Sequence, residues 1–257
     1  MSGLASWQLK FDRAQRHRMD AEAMVAAATT EQEIRIEKEL VGKEWVYTVH
    51  HDAVIDPAFP AVLGDFLFNL RSAIDHIAAS NRTSPTWKTP FPLFHEPVGG
   101  LPTPGEPARL KRYRDIWANV KANTPPAVFD VMDAAQPFNA PNGLVPANMA
   151  LAVLNELHNR DKHGSLAVVT TGIKDIKCWV LTPDGLRPVR DPNLPPGMFP
   201  NGADIFRDER SLEFRVRGEV GLAVAAGPTG GYRFLPTCLE DMSDEVGLLL
   251  AAIESVM

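Results

Sequence analysis

The sequence predicts an α+β fold, and two observations carry that prediction. Apolar residues recur at helical spacing through most of residues 1–163, with one β-hairpin pattern near the start. Residues 164–257 contain instead a series of short β-branched or alternating segments, followed by one last helical pattern. Because helices and strands are grouped along the chain and do not alternate one by one, we expect a single α+β domain over residues 1–257.

The first predicted elements are a helix and a β-hairpin. Residues 5–28 carry a broken apolar face at helical spacing. Residues 33–37 alternate charged and apolar side chains, and residues 45–49 are β-branched and aromatic, as is typical of strands. We expect the turn of this hairpin at residues 41–43.

A central helix is predicted over residues 58–82, because Pro60 suits a first turn and the apolar residues that follow form one stripe. That stripe consists of Leu63, Leu67, Leu70, Ile74 and Ile77. The opposite side carries Asp65, Asn69, Ser72 and His76. These are short hydrogen-bonding groups rather than Lys and Glu, so we expect the second face to be covered as well.

The remaining segments complete the α+β pattern. Residues 84–108 are rich in proline and aromatic side chains, and we expect them to fold back onto the core. Further helices are predicted at residues 109–122, 130–135 and 147–162, the last of them a second central helix with Gly164 as its C-cap. An antiparallel sheet, closed by a final helix at 239–256, is predicted from strands at residues 165–171, 177–181, 211–216, 220–224 and 232–235.

Composition restricts the class of protein. The formal net charge of −6 argues against a protein that coats nucleic acid without specificity, although it is compatible with a local basic site. No stretch approaches 18 consecutive apolar residues, and the first residues lack a secretion-signal pattern, so we expect a cytoplasmic protein with no membrane association. Cys178 and Cys238 are expected to be reduced thiols.

The central helix contains an Arg-x4-His motif, formed by Arg71 and His76. Here the chain resembles the HEPN superfamily of helical proteins, whose nuclease members use such a motif. The resemblance implies a HEPN-like helical core, a homodimer that brings two motifs together, and RNA as the partner. It also implies that His76 is the base for the 2′-hydroxyl proton and that Arg71 stabilises the developing phosphate charge.

Asp75 and Asn69 complete the candidate catalytic group, but Asp75 also supports a different interpretation. It lies one helical turn from Arg71 and can neutralise it in an i,i+4 pair. In that case the two residues form a structural ion pair, and His76 is a polar residue with satisfied hydrogen bonds.

A longer match joins the two central helices. Residues 64–76 read Gly-Asp-x-x-x-Asn-Leu-Arg-Ser-x-x-Asp-His, and residues 159–163 read Asn-x-Asp-Lys-His. Both motifs resemble those of an uncharacterised bacterial family, and this resemblance implies that the two helices form one site, without implying an activity. The candidate substrate-binding residues on the second helix are His158, Asp161, Lys162 and His163.

Two kinds of site fit these residues. One is a phosphate-handling pocket with Arg71 and Lys162 as its cations. The other is a metal site drawing on His76, His158, Asp161 and His163. Only His158 and Asp161 have the i,i+3 spacing of paired ligands, and the neighbouring Lys and Arg oppose a bound cation. We therefore predict no resident metal and no cofactor.

Other segments give weaker signals. Residues 109–114 contain four basic side chains and Tyr113, which makes them the best nucleic-acid patch, although a solvated basic face is the simpler interpretation. The sequence has no Gly-rich phosphate loop, no Gly-x-Ser-x-Gly elbow and no His-Glu-x-x-His motif.

The leading hypothesis is a metal-independent, HEPN-like ribonuclease, or an RNA-directed stress or defence protein, that uses Arg71 and His76. The alternative is a non-enzymatic binding or structural protein whose polar helix pair is a buried hydrogen-bonded network. A metal-dependent hydrolase is the third candidate.

Overall fold

The computed structural model describes residues 5–84, 90–98, 107–142, 144–163, 169–182, 185–189, 199–225 and 232–257. Its α-helices are α1 (Ser6–Thr29), α2 (Phe59–Ser80), α3 (Ala108–Ala122), α4 (Pro126–Ala134), α5 (Ala150–Lys162) and α6 (Leu235–Glu254). Its strands are β1 (Arg35–Val41), β2 (Glu44–His50), β3 (Val169–Thr182), β4 (Gly185–Val189), β5 (Phe199–Pro200), β6 (Ala203–Asp208), β7 (Glu213–Ala225) and β8 (Tyr232–Phe234). The predicted α+β class, with an N-terminal hairpin and a C-terminal antiparallel sheet, is confirmed.

Helix α2 is the centre of the helical part. It packs against α1, α5 and α6, and all five residues of its predicted apolar stripe are at most 1% exposed. Phe66 and Ala73, which lie off that stripe, are also fully buried. The opposite side is covered in part, because Asn69 is buried, Ser72 and His76 are half-buried, and Asp65 is exposed.

The N-terminal hairpin belongs to a three-stranded sheet of order β1-β2-β6. Gly42 has a φ of +68° in the turn, a conformation that side chains with a Cβ rarely adopt. Strand β6 comes from residues to which no strand was assigned from the sequence. Its pairing with β2 joins segments about 150 residues apart, so the local pattern could not reveal it.

The second sheet has the order β4-β3-β7-β8, with β5 also paired to β3, and all its pairings are antiparallel. The sequence predicted separate strands at residues 165–171 and 177–181. This was wrong for the described residues, because β3 runs without a break from Val169 to Thr182, through an irregularity between Lys174 and Lys177. Likewise, the two strands predicted over 211–224 are the single strand β7. Residues 164–168, with the predicted C-cap at Gly164, lie outside the described residues.

Two hydrophobic clusters hold these elements together. One lies among the helices, and the other lies between the two sheets and includes Tyr47, Val49, Ile173 and Ile205. Strand β7 contributes to both, since Val220 belongs to the cluster between the sheets whereas Leu222 and Val224 belong to the helical cluster.

Three helices differ in extent from the prediction. Helix α4 begins at Pro126 and α6 at Leu235, in each case four residues earlier than predicted, with a proline in the first turn. A short 3₁₀ turn at Pro146–Asn148 precedes α5, so the α-helix itself begins at Ala150. Helix α6 packs mainly on other helices and also contacts β7 and β8.

The proline-rich excursion returns to the core where the structure describes it. In the 90–98 loop, Phe91, Leu93, Phe94 and Val98 are at most 9% exposed, as expected. Its residues 85–89 and 99–106 lie outside the described residues. Within the described part of the chain, no helix has the length and apolar character needed to cross a membrane.

Candidate functional site

The two helices that carry the predicted site residues, α2 and α5, pack against each other. The contact is close at Gly64, where an added Cβ would lie 3.1 Å from Oδ1 of Asp161. A side chain at position 64 would therefore compete with the Asp161 carboxylate for space. A residue without a side chain fits this close approach of α2 and α5.

Arg71 is buried and holds the 90–98 loop against α2. Its Nη2 donates a hydrogen bond to the carbonyl oxygen of Phe91 and lies 3.2 Å from Oδ1 of Asp75. The same Oδ1 accepts a 2.9 Å hydrogen bond from the Phe91 backbone N–H. Burial lowers the pKa of Arg71, and the Asp75 carboxylate opposes that shift, so the guanidinium stays charged at neutral pH.

Gln136, which was not singled out from the sequence, fixes the same loop from the other side. Its Nε2 donates to the carbonyls of Pro92 at 3.0 Å and Met132 at 3.1 Å. Its Oε1 accepts a 3.1 Å hydrogen bond from the Phe94 N–H. A glutamine directly before a proline at the end of a helical segment gave no sequence signal for this role.

A pocket of about 560 Å³ lies between α2, α3, α5 and the 90–98 loop. We call it the Arg71 pocket. It is lined by Arg71, Arg112, Ile116, Asn155 and residues 90–94. The walls are therefore mainly proline, phenylalanine, leucine and isoleucine, with two guanidinium groups and one amide placed among them.

The polar groups of this pocket have unused hydrogen-bonding capacity. Nη1 of Arg71 is buried and has no hydrogen-bond partner among the described residues. The side chains of Arg112 and Asn155 make no hydrogen bond or ion pair with any described residue. No carboxylate is among the described residues that line the pocket. The free groups are mostly donors, an arrangement that favours an anion.

His158 lies on α5 outside this pocket. It is 3% exposed, and burial, followed by the charges of Lys162 and Arg71, lowers its pKa to about 4. The imidazole is therefore neutral at pH 7. Its Nδ1 has no hydrogen-bond partner within the described ranges, and its ring centre lies 6.1 Å from that of Phe68.

The other predicted residues are spread along the helix pair. Asn69 donates from Nδ2 to the Asp65 carbonyl at 2.8 Å, and its Oδ1 is buried without a partner. His76 is half-buried and is not among the described residues that line the Arg71 pocket. Lys162 and His163 are exposed at the end of α5.

Neither the metal site nor the basic patch gains support from this geometry. Among the described residues, no group of three or more potential metal ligands is gathered, so the hydrolase hypothesis has no ligand set there. In the basic patch, Arg109 pairs with Glu96 at 2.6 Å, whereas Arg112 faces the pocket. Of the predicted site residues, Arg71 lines the pocket, and Asp75 contacts Arg71.

Comparisons with protein-family models, with curated proteins and with solved structures found no match. The residues of the site are therefore the only basis for assigning a function.

Proposed function

We propose that this protein is a non-enzymatic binding protein that holds a small anionic organic molecule in the Arg71 pocket. The observation that carries the proposal is the buried Nη1 of Arg71, which has no partner in the part of the chain that the structure describes, although Nη2 of the same guanidinium is fully used. A buried N–H group without an acceptor costs free energy, and an anion in the pocket would supply that acceptor.

The character of the walls supports an organic anion rather than a bare ion. Binding sites for small molecules are mostly apolar, with a few polar groups that fix orientation. Here the 90–94 segment and Ile116 supply the apolar walls, and Arg71, Arg112 and Asn155 supply the donors. The positive charge is local to this pocket, since the chain as a whole carries −6.

Arg71 and Asp75 have a second role in this proposal. They form the structural ion pair that was the alternative interpretation of the sequence. Their contacts with the backbone of Phe91 hold one wall of the pocket in place. A buried ion pair of this kind favours one defined arrangement of loop and helix over others. The contacts of Arg71 and Asp75 with the Phe91 backbone therefore help to form the proposed binding site.

The HEPN-like ribonuclease, with its RNA partner and homodimer, remains a prediction from the motif. It requires Arg71 and His76 to act on one phosphate. Against it stand the pairing of Arg71 with Asp75 and the position of His76 away from the pocket lining. The binding proposal needs neither a base nor a second subunit.

The proposal is tested by titrating 2-naphthoate into the purified protein by isothermal calorimetry. We expect saturable binding by the wild type, at least tenfold weaker binding by Arg112→Ala, and unchanged binding by Lys111→Ala. Lys111 is the matched control because it is an exposed neighbour on the same helix that does not line the pocket. Equal effects of the two variants, or no binding of 2-naphthoate and 2-naphthyl phosphate alike, would overturn the proposal.

A further inference from the structure

We infer that the ligand of the Arg71 pocket is a monoanion, a carboxylate carried on an apolar body, and not a phosphomonoester dianion. This inference rests on the function proposed above and specifies the chemical class of the ligand. It follows from the charge count of the pocket, from the geometry of its donors and from its walls.

The charge count gives one net positive charge. Arg71 and Arg112 are the cationic groups of the lining. The carboxylate of Asp75 lies 3.2 Å from Nη2 of Arg71 and cancels one of these charges. The net charge of the pocket is therefore +1, equal to that of Arg112 alone, and a monoanion neutralises it.

Among the described residues on α3 and α5, Arg109, His158 and Lys162 do not change this count. Arg109 is compensated by Glu96 at 2.6 Å, and the imidazole of His158 is neutral at pH 7. Lys162 is exposed at the end of α5 and, unlike Arg112, is not among the described residues that line the pocket. A dianion in the pocket would therefore keep one negative charge without a partner beside apolar walls, which is unfavourable.

The donors fit a planar head group. A guanidinium presents its N–H groups in a flat fork that matches the two oxygens of a carboxylate. The exposed fork of Arg112 is such a set, and the amide of Asn155 can donate to the same head group. Nη1 of Arg71 is a buried donor with no partner among the described residues. The apolar walls then receive the body of the ligand.

The test compares ligands that share one apolar body and differ in the head group. At pH 8 we would measure binding of 2-naphthoate, of 2-naphthyl phosphate, which is then a dianion, and of the cation 2-naphthylmethylamine. We expect the carboxylate to bind at least tenfold more tightly than the phosphate, and the amine not to bind. Equal or tighter binding of the phosphate would overturn the inference and leave the proposed function standing. Failure of both anions would instead overturn the function.

A second experiment changes the charge count without changing the shape. In Asp75→Asn the new amide oxygen can still accept from the Phe91 N–H, whereas the pocket gains one positive charge. We expect the preference for carboxylate over phosphate to fall at least tenfold, with no such change in the control Asp65→Asn, which is exposed on the same helix. An unchanged preference would contradict the inference.

If Asp75→Asn does not fold, the wild type allows an equivalent test in which the charge of the ligand is changed instead of the charge of the pocket. A phosphomonoester loses its second charge below a pH of about 6. Lowering the pH from 8 to 5 should therefore tighten binding of 2-naphthyl phosphate relative to 2-naphthoate, which stays a monoanion. Any change in the protein's own charge at pH 5 affects both ligands alike, because both are then monoanions. It therefore cancels in the ratio of their affinities. A constant ratio would overturn the inference.

Discussion

Oδ1 of Asp75 lies 3.2 Å from Nη2 of Arg71 and also accepts the backbone N–H of Phe91 at 2.9 Å. One oxygen thus compensates a buried guanidinium and fixes the loop that forms a pocket wall. The pair is of the i,i+4 type found on helix surfaces, but here it is turned inward, where the side chain of Arg71 is 8% exposed and that of Asp75 is 30% exposed.

Replacing Arg71 by methionine should destabilise the protein. The change leaves Asp75 and the Phe91 carbonyl without their partner, and breaking a fully buried pair costs about 3–5 kcal/mol. Because Asp75 is partly exposed, we expect a smaller loss than that, about 2–3 kcal/mol. Urea unfolding followed by circular dichroism measures the change. A loss below about 0.5 kcal/mol would show that the pair does not hold the loop.

Substitutions at Gly64 should depend on the size of the new side chain. Alanine gains about 1 kcal/mol of helix propensity, and its Cβ at 3.1 Å requires only a small shift of the half-exposed Asp161 carboxylate, so we expect a net effect within about 1 kcal/mol. Valine adds branches that the α2–α5 contact has no space for and should cost about 1–3 kcal/mol. Thermal unfolding of both variants tests this, and a valine variant as stable as the wild type would contradict the close contact.

Stability should fall as the pH is lowered from 7.5 to 5, in part because of His158. Its pKa is about 4 in the folded protein and about 6.5 when unfolded, so the unfolded chain binds more protons between these values. The expected loss from this residue is about 2 kcal/mol at pH 5. Burial also lowers the pKa of His51, which acts in the same direction.

Urea unfolding at the two pH values, with wild type and His158→Gln, separates the contribution of His158. The variant should lose less stability on acidification than the wild type does. His51→Gln is a useful comparison, because it removes the other shifted histidine at a distant position in the chain. An identical pH dependence for wild type and His158→Gln would show that the imidazole is not held neutral by burial.

His76 distinguishes binding from RNA cleavage. His76 is half-buried, and apart from the helix backbone the hydrogen bond described for it is the one that its carbonyl accepts at 2.9 Å from Oγ of Ser80 in the same helix. The binding proposal therefore predicts that His76→Ala melts within a few degrees of wild type and binds 2-naphthoate unchanged. Incubation of both proteins with a mixed RNA pool in EDTA completes the test. Cleavage by wild type that is lost in the variant would establish the ribonuclease.

The sequence predicted those elements whose signal is local. The stripe from Leu63 to Ile77 and the alternation in residues 33–37 depend on neighbours a few positions apart, and the corresponding helix and hairpin are present. Strand β6 and the continuity of β3 and β7 depend on pairing between distant segments, and these were missed. Local periodicity contains no information about such partners.

The same distinction applies to the candidate site. The i,i+4 relationship of Arg71 and Asp75 was visible in the sequence, and their contact is present. The pocket, however, needs Arg112, Asn155 and the 90–94 segment, which approach one another only when three helices and a loop pack together. Gln136 was missed for a related reason, since its partners are backbone atoms about 40 residues away.

Strand β7 belongs to both hydrophobic clusters, through Val220 near its middle and through Leu222 and Val224 further along the strand. Neither the helices nor the sheets can therefore be cut away as an independently folding fragment without removing part of the other's interior. Heat or denaturant should melt the two clusters in a single transition, because each is incomplete once this strand is released. We therefore expect the chain to unfold as one cooperative unit, although it has two hydrophobic clusters.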